Sequence, residues 1–145
     1  MKPGGSVLAM AAMLAAVSIT AQNVVDDIAA RHPELRMLEI AATRPDTGEC
    51  RTIAATTVKA VGRKCDGDEL ALMKSDKVAV DKEKEGFDAT VPLHDGSRAV
   101  IAIANMTFRA VPGQSRATII RQAQHIAAEL EKRLTTPRKF FEPAR

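Results

Sequence analysis

The sequence is poor in aromatic residues: it has no tryptophan or tyrosine, and its 4 phenylalanines make up 3% of 145 residues. Proteins that bind single-stranded nucleic acid stack bases on aromatic side chains, and that platform is missing here. Charge of neither sign is in large excess, with 21 lysines and arginines against 18 aspartates and glutamates. Since nucleic-acid binders concentrate basic residues on one face, we expect no nucleic-acid partner.

Familiar catalytic and metal-binding motifs are missing from the sequence as well. Gly96-Ser97-Arg98 is not a nucleophile elbow, and neither HExxH nor a phosphate-binding glycine-rich loop occurs. The histidines at 32, 94 and 125 share no ligand-like spacing such as HxxxH, so each is more simply an exposed or hydrogen-bonded side chain. We therefore predict no enzyme, no metal and no cofactor.

Long apolar runs are lacking too, except at the N terminus. Lys2 precedes an alanine-rich run from Val7 to about Ala16, and small or neutral residues follow as far as Ala21. This pattern predicts a secretory signal, residues 1–21, cleaved after Ala21. An uncleaved anchor would need roughly 20 apolar residues, and polar side chains shorten this run. We expect a periplasmic or secreted protein with no membrane span after cleavage.

The two cysteines, Cys50 and Cys65, both follow the predicted signal. An oxidising compartment favours a disulfide between them, which would stabilise the fold by roughly 3 kcal/mol for a loop of about 15 residues. Two free thiols, or ligands to a metal or haem, remain as alternatives. The cysteines lack CxxC or CxxCH spacing, which makes a role as metal or haem ligands the less favoured interpretation.

The remaining residues fit a single domain, 22–136, with a short tail, 137–145. Asn23 is predicted to cap a helix that runs to about Arg31 and is stopped by Pro33. Strands are predicted at 35–42, 50–56, 78–82, 87–93 and 99–108, with short and long helices at 68–74 and 115–134. The long helix carries an apolar stripe at helical spacing, namely Ile119, Ala123, Ile126, Ala127, Leu130 and Leu134.

Two short turns decide the fold class. Glu85-Gly86 and the turn at 94–97 join the last three strands as hairpins, so these strands must be antiparallel. That excludes a doubly wound α/β fold. We predict an α+β fold with an antiparallel sheet of about five strands, with the N- and C-terminal helices on one face and a short helical crossover on the other.

Three segments of the chain carry a family resemblance. Residues 52–56 followed by 61–65 look like a second strand and its turn into a crossover helix. Residues 87–95 look like a strand that ends in a Pro-aliphatic-aromatic/polar-Asp turn, and residues 100–108 look like a final strand. In these features the chain resembles the Cache family of PAS-like extracytoplasmic sensor domains. The resemblance implies a ligand pocket between the concave sheet face and the crossover helix.

The resemblance also guides expectations about the ligand. Many amino-acid-binding Cache domains hold an ammonium group with tyrosines, tryptophans and an aspartate near the end of the last strand. Here the aromatic residues are missing and Thr107 stands in the aspartate's place, which argues against an amine. We expect a small neutral or anionic metabolite, with which Lys74 or Lys82 would pair through a carboxylate if either side chain points inward.

The predicted pocket is aliphatic and thioether-lined, with a few polar groups that orient the ligand and a histidine near its mouth. Its predicted residues are Met73, Thr90, His94, Asn105, Met106 and Thr107. Read singly, each methionine is equally consistent with core filler and each threonine with an ordinary strand residue.

Two functions from different classes follow. The first is a non-catalytic small-molecule sensor that acts with a membrane-bound receptor or transporter. The second is an interaction or dimerisation module with a vestigial pocket. A filled space between sheet and crossover would favour the second, whereas a cavity with converging polar groups would favour the first.

Overall fold

The computed structural model describes residues 20–134 and Phe141 of this chain. The described elements are, in chain order, α1 (Ala21–Arg31), β1 (Leu35–Thr43), β2 (Cys50–Ala55), a 3-10 turn (Val58–Ala60), α2 (Gly67–Ser75), β3 (Ala79–Glu83), β4 (Gly86–His94), β5 (Val100–Arg109) and α3 (Arg116–Arg133). Their ends differ from the predicted ones by one or two residues. Residues 1–19 of the predicted signal, and all of the predicted tail except Phe141, lie outside the described residues.

The five strands form one antiparallel sheet in the order β2-β1-β5-β4-β3. Helix α1 packs on β1 and β2, and α3 packs mainly on β4, while the crossover helix α2 contacts β5 and β4. The predicted α+β fold is confirmed. No helix within residues 20–134 is long and apolar enough to cross a membrane.

The hydrophobic core lies between the sheet and the pair α1 and α3. On β5 the even-numbered residues from Ala102 to Phe108 point into it, since side chains alternate along a strand. All six residues of the predicted stripe on the C-terminal helix are buried, which confirms that this face covers the sheet.

The N-terminal cap of α1 differs from the prediction. Thr20, not Asn23, caps the helix: its Oγ1 accepts a hydrogen bond from the backbone N–H of Asn23 at 3.2 Å. Thr20 is 2% exposed and Ala21 is 3% exposed. The helix ends at Arg31, close before Pro33, as predicted. The predicted cleavage point after Ala21 therefore falls in the first turn of α1.

The predicted disulfide is present, and it covers a sheet edge. Cys50 and Cys65 are joined with an S–S distance of 2.01 Å. Beside them, the N–H of Thr52 donates to the carbonyl of Arg63 at 2.8 Å, and the N–H of Gly62 donates to the carbonyl of Thr52 at 2.8 Å. The crossover loop thus pairs with the edge strand β2 and holds Arg63 near the start of α2.

The tight β3–β4 hairpin depends on one glycine. Gly86 has φ +140°, and a Cβ built on it would lie 1.8 Å from the carbonyl oxygen of Phe108. Only a residue without a side chain fits at this position.

Candidate functional site

A cavity of about 590 Å³ lies between α2 and the sheet face opposite the core. The resemblance to Cache domains implied a pocket at this place. Its lining comes from four neighbouring strands, β1, β5, β4 and β3, and from the crossover. The residues are Met37, Arg63, Asp66, Asp68, Glu69, Ala71, Leu72, Ala79, Asp81, Asp88, Ala89, Thr90, Asn105, Met106 and Thr107.

Strand register explains why polar side chains meet on this face. Thr107 of β5 is paired with Met37 on one side and Asp88 on the other. Asn105, two residues earlier and on the same face, is paired with Thr90. Because directly opposed residues in antiparallel strands share a face, these side chains form a continuous patch under α2.

The polar patch is tied together by hydrogen bonds. The Thr90 hydroxyl donates to Asn105 Oδ1 at 2.9 Å, and the Thr107 hydroxyl donates to Asp88 Oδ1 at 2.8 Å. These contacts fix the orientation of the amide and of the carboxylate that face the cavity.

A capping box at the start of α2 turns the side chain of Glu69 inward. Asp66 Oδ1 accepts from the N–H of Glu69 at 2.8 Å, and Glu69 Oε1 accepts from the N–H of Asp66 at 3.0 Å. The two residues satisfy each other's free backbone N–H groups. As a consequence, the Glu69 carboxylate lies over the sheet rather than in solvent, and Glu69 is 6% exposed.

Glu69 is the centre of a charged network. Arg63 donates to both of its carboxylate oxygens, at 3.1 and 3.2 Å, and Asn105 Nδ2 donates to Oε2 at 2.8 Å. Burying a carboxylate is costly without such partners. Hydrogen bonding to Glu69 is also the main cause that raises the pKa of Arg63 above its ordinary range.

A second buried carboxylate shares the same guanidinium. Glu39 is 8% exposed, and its Oε2 lies 3.6 Å from Arg63 Nη2. Glu39 is paired with Asn105 across β1 and β5, so it lies on the same sheet face as the cavity. One cation therefore serves two buried carboxylates.

The lining of the cavity is strongly negative. Five of its residues carry carboxylates and one carries a guanidinium. Asp81 and Asp88 are directly opposite each other in the β3–β4 pairing. Within the described part of the chain, neither forms an ion pair with a lysine or arginine.

The predicted site residues divide into two groups. Thr90, Asn105 and Thr107 meet at the cavity as expected. Met106 is at an even position of β5 and is 1% exposed, so its thioether packs in the core on the other face. Met73 does not line the cavity; its sulfur accepts from the Thr43 hydroxyl at 3.8 Å.

The lining thus differs from the predicted aliphatic and thioether-lined pocket. Two methionines are among the lining residues, but Met106 belongs to the core, so Met37 supplies the thioether on the cavity face. Most of the polar lining is acidic. Neither Lys74 nor Lys82 is among the lining residues.

His94 lies outside the cavity, at the end of β4. Its Nδ1 is 2.7 Å from Glu131 Oε2 and its Nε2 is 2.6 Å from Asp76 Oδ1. Burial by itself lowers the pKa of His94, but the hydrogen bonds and the attraction of the two carboxylates outweigh it, so the pKa is raised from 6.5.

Sequence reasoning missed Glu69, Arg63 and Asp88. The spacing Asp66-x-x-Glu69 ahead of an apolar pair was a readable capping-box signal. It would have placed the glutamate near the crossover's first turn, although not its contact with Asn105.

No family model and no curated protein matches the sequence. Solved structures do match it. The GAF domain of an Acinetobacter phosphoenolpyruvate-protein phosphotransferase has 12% identity and a TM-score of 0.54, over 91% of this chain and 93% of that chain. The GAF domain of a Bacillus halodurans two-component sensor histidine kinase has 6% identity and a TM-score of 0.55, over 79% and 96%.

A third similar structure is a type II free methionine-R-sulfoxide reductase from Thermoplasma acidophilum. It has 11% identity and a TM-score of 0.50, over 77% of this chain and 89% of that chain. At such identities the similarity concerns the fold alone. The chain has a GAF-like fold.

Proposed function

We propose that this protein is a non-catalytic sensor module that binds a small molecule in the cavity between α2 and the sheet. The observation that carries the proposal is an open space of about 590 Å³ on which polar side chains of three strands and of α2 converge. Small-molecule sites are typically concavities of about 300–1,000 Å³ with a few well-placed polar groups. A Cache-type sensor is the specific form that we propose.

The alternative function, a dimerisation module with a vestigial pocket, predicts a filled space instead of an open one. It requires side chains that fill the space between crossover and sheet. The open cavity, with Asn105 and Glu69 oriented by hydrogen bonds, favours ligand binding instead.

The charge of the lining bears on the class of ligand. The expected anionic ligand depended on Lys74 or Lys82 pointing inward, and neither lines the cavity. An anion would instead approach five carboxylates and one guanidinium that is already paired with Glu69. Like charges brought together in a partly buried site oppose binding. We therefore propose a neutral or cationic ligand.

Asp81 and Asp88 are the groups proposed to meet the cation. Like charges directly opposite each other on antiparallel strands destabilise the pair. A protonated amine placed between the two carboxylates would remove this repulsion and gain charge-assisted hydrogen bonds. Thr107, which replaces the acid expected from the family resemblance, donates to Asp88 at 2.8 Å. The carboxylate that would meet the amine therefore belongs to Asp88 of β4, the strand beside β5.

Export and a membrane-bound partner are further parts of the proposal. The Cys50–Cys65 disulfide supports export, because disulfides persist mainly in oxidising compartments. A receptor or transporter in the membrane would read the loaded domain. The similarity to the GAF domains of a phosphotransferase and of a sensor kinase supports a non-catalytic role, although the Thermoplasma neighbour is an enzyme.

A thermal-shift screen with amines, neutral polar metabolites and carboxylates at constant ionic strength tests the proposal. A ligand at 100 times its Kd stabilises the fold by about 2.7 kcal/mol. We expect amines or neutral compounds to raise Tm and carboxylates to leave it unchanged. A screen in which only carboxylates raise Tm would contradict the charge assignment, and one without any shift would contradict ligand binding.

A matched pair of variants locates the binding. Asp88→Asn keeps the shape and the acceptor for Thr107 but removes the charge, so it should weaken an amine's shift. Asp26→Asn, an exposed position on α1 outside this cavity, should leave the shift intact. Equal responses of the two variants would place the ligand elsewhere.

A further inference from the structure

Helix α2, the wall of the cavity, is held to the fold by polar contacts at its two ends. Glu69 is the one buried residue of α2, and Leu70 is 42% exposed. The N-terminal end is fixed by the contacts of Glu69 with Arg63 and Asn105. Since little apolar surface is buried here, the helix has few contacts that would survive the loss of either end.

The C-terminal end of α2 is fixed through His94. Asp76 is the C-cap of α2 and has the left-handed backbone φ 53°. Its carboxylate contacts Nε2 of His94 at 2.6 Å, and Nδ1 of the same ring contacts Glu131, in the last turn of α3, at 2.7 Å. One imidazole, whose side chain is 18% exposed, thus joins the cavity wall to the C-terminal helix.

The protonation state of the ring decides whether both contacts hold. A neutral imidazole has one N–H, whereas the imidazolium has two. Both ring nitrogens face carboxylate oxygens, so only the charged form donates to both. In the neutral form, one nitrogen lone pair would face a carboxylate.

We propose that His94 is a proton-dependent link that couples the wall of the cavity to α3. The inference rests on the proposed function, because it concerns access to that same cavity. Loss of the proton breaks one of the two contacts and frees the C-terminal end of α2 from α3. Conversely, a ligand that displaces α2 breaks the contact with Asp76 and promotes loss of the proton.

The other charged groups around the ring support the charged form. Asp76 from α2 and Glu131 from α3 contact the ring. Asp95, in the β4–β5 turn, lies nearby: hydrogen bonding from Ser97 is the main cause that lowers the pKa of Asp95, and the charge of His94 lowers it further. Arg98 and Lys132 line the same surface hollow, and Lys77 follows Asp76 in the chain. The carboxylates are the groups in direct contact with the ring.

The direction of the pH effect follows from linkage. Because the pKa of His94 is raised in the folded state, its stabilising contribution is fully present below the unfolded value of about 6.5. That contribution is lost as the pH rises through the folded-state pKa. The link from α2 through the ring to α3 is therefore complete at the acidic side of this window and broken at the alkaline side.

Amide hydrogen exchange of residues 67–75 at pH 6 and pH 9, expressed as protection factors, tests the link on the full chain without ligand. We expect the protection of α2 to fall at least about threefold at pH 9, a tenfold fall being equal to one pKa unit. His94→Gln should show low protection at both pH values. His125→Gln, which removes a ring that is 74% exposed on α3, should behave like the unmodified protein.

Equal pH dependence in His94→Gln and in the unmodified protein, or no pH dependence in either, would overturn the link. If His94→Gln does not fold, an NMR titration of the unmodified protein decides: the midpoint of His94 must lie above the ordinary histidine value of about 6.5. A midpoint at or below that value overturns the proposal. Since no ligand is added, these results concern the link alone, whereas the thermal-shift screen decides whether the cavity binds.

Discussion

Glu69 of α2 accepts a hydrogen bond of 2.8 Å from Asn105 of β5, and this contact fastens the crossover helix to the sheet. The helix that forms the cavity wall is thus held by a polar side chain where a core residue is more usual. That arrangement leaves the space beside it open and makes the wall sensitive to a single substitution.

Glu69→Ala should lower the free energy of unfolding by about 1–3 kcal/mol, since it removes the acceptor of Asn105 Nδ2 and of two hydrogen bonds from Arg63. Urea unfolding followed by circular dichroism measures the loss. Asp68→Ala, on the same helix and exposed, is the control and should cost less than about 1 kcal/mol. Equal losses would show that the Glu69 network does not hold α2.

Leu130→Ala should cost about 2–5 kcal/mol, because this side chain is fully buried under the sheet and its removal leaves a cavity in the core. Gln124→Ala, on the exposed side of the same helix, should change the free energy of unfolding by less than about 0.5 kcal/mol. Chemical denaturation of both variants compares them. A loss of that small size for Leu130→Ala would be incompatible with the described core.

Thr52→Val should stabilise the protein by about 1 kcal/mol. Thr52 is 1% exposed, and its hydroxyl has no hydrogen-bond partner in the described part of the chain, so valine removes an unsatisfied group at nearly constant volume. Thr52→Ser keeps the hydroxyl and loses a methyl group, and should destabilise by about 0.8 kcal/mol. A destabilising Thr52→Val would mean that the hydroxyl has a partner.

If the chain is exported, the mature protein should retain Thr20. Cleavage after Ala21 would remove both the cap and the first residue of α1. Ala16 and Ser18 offer small residues at the two positions that a signal peptidase reads, which predicts cleavage after Ser18. Intact-mass measurement of the exported protein gives the terminus directly. A mature chain beginning at Gln22 would contradict this prediction.

The parts of the fold that the sequence predicted are those encoded by local patterns. The apolar residues from Ile119 to Leu134 recur at helical spacing and therefore lie on one face, so their burial could be predicted from helical geometry. Hairpin turns fixed the antiparallel order of the last strands, and an even number of cysteines in a predicted exported chain favoured their disulfide. These features do not depend on distant residues.

The lining of the candidate site depends on contacts between residues far apart in sequence. On β5, both faces carry apolar residues, since Ile101 and Ile103 alternate with Ala102 and Ala104. Composition alone therefore could not assign Met106 to the core and Asn105 to the cavity. The contact of His94 with Asp76 and Glu131 joins three separate elements, and no local spacing encodes it.

The space between α2 and the sheet is proposed to hold a small molecule. Native mass spectrometry of protein purified from its own compartment tests this most directly, with Ala71→Trp to fill the cavity and Ala30→Trp, exposed on α1, as the control. We expect one added small-molecule mass on the unmodified protein and on Ala30→Trp, and its loss from Ala71→Trp. A bare mass in all three proteins, or an equal adduct on all three, would contradict it.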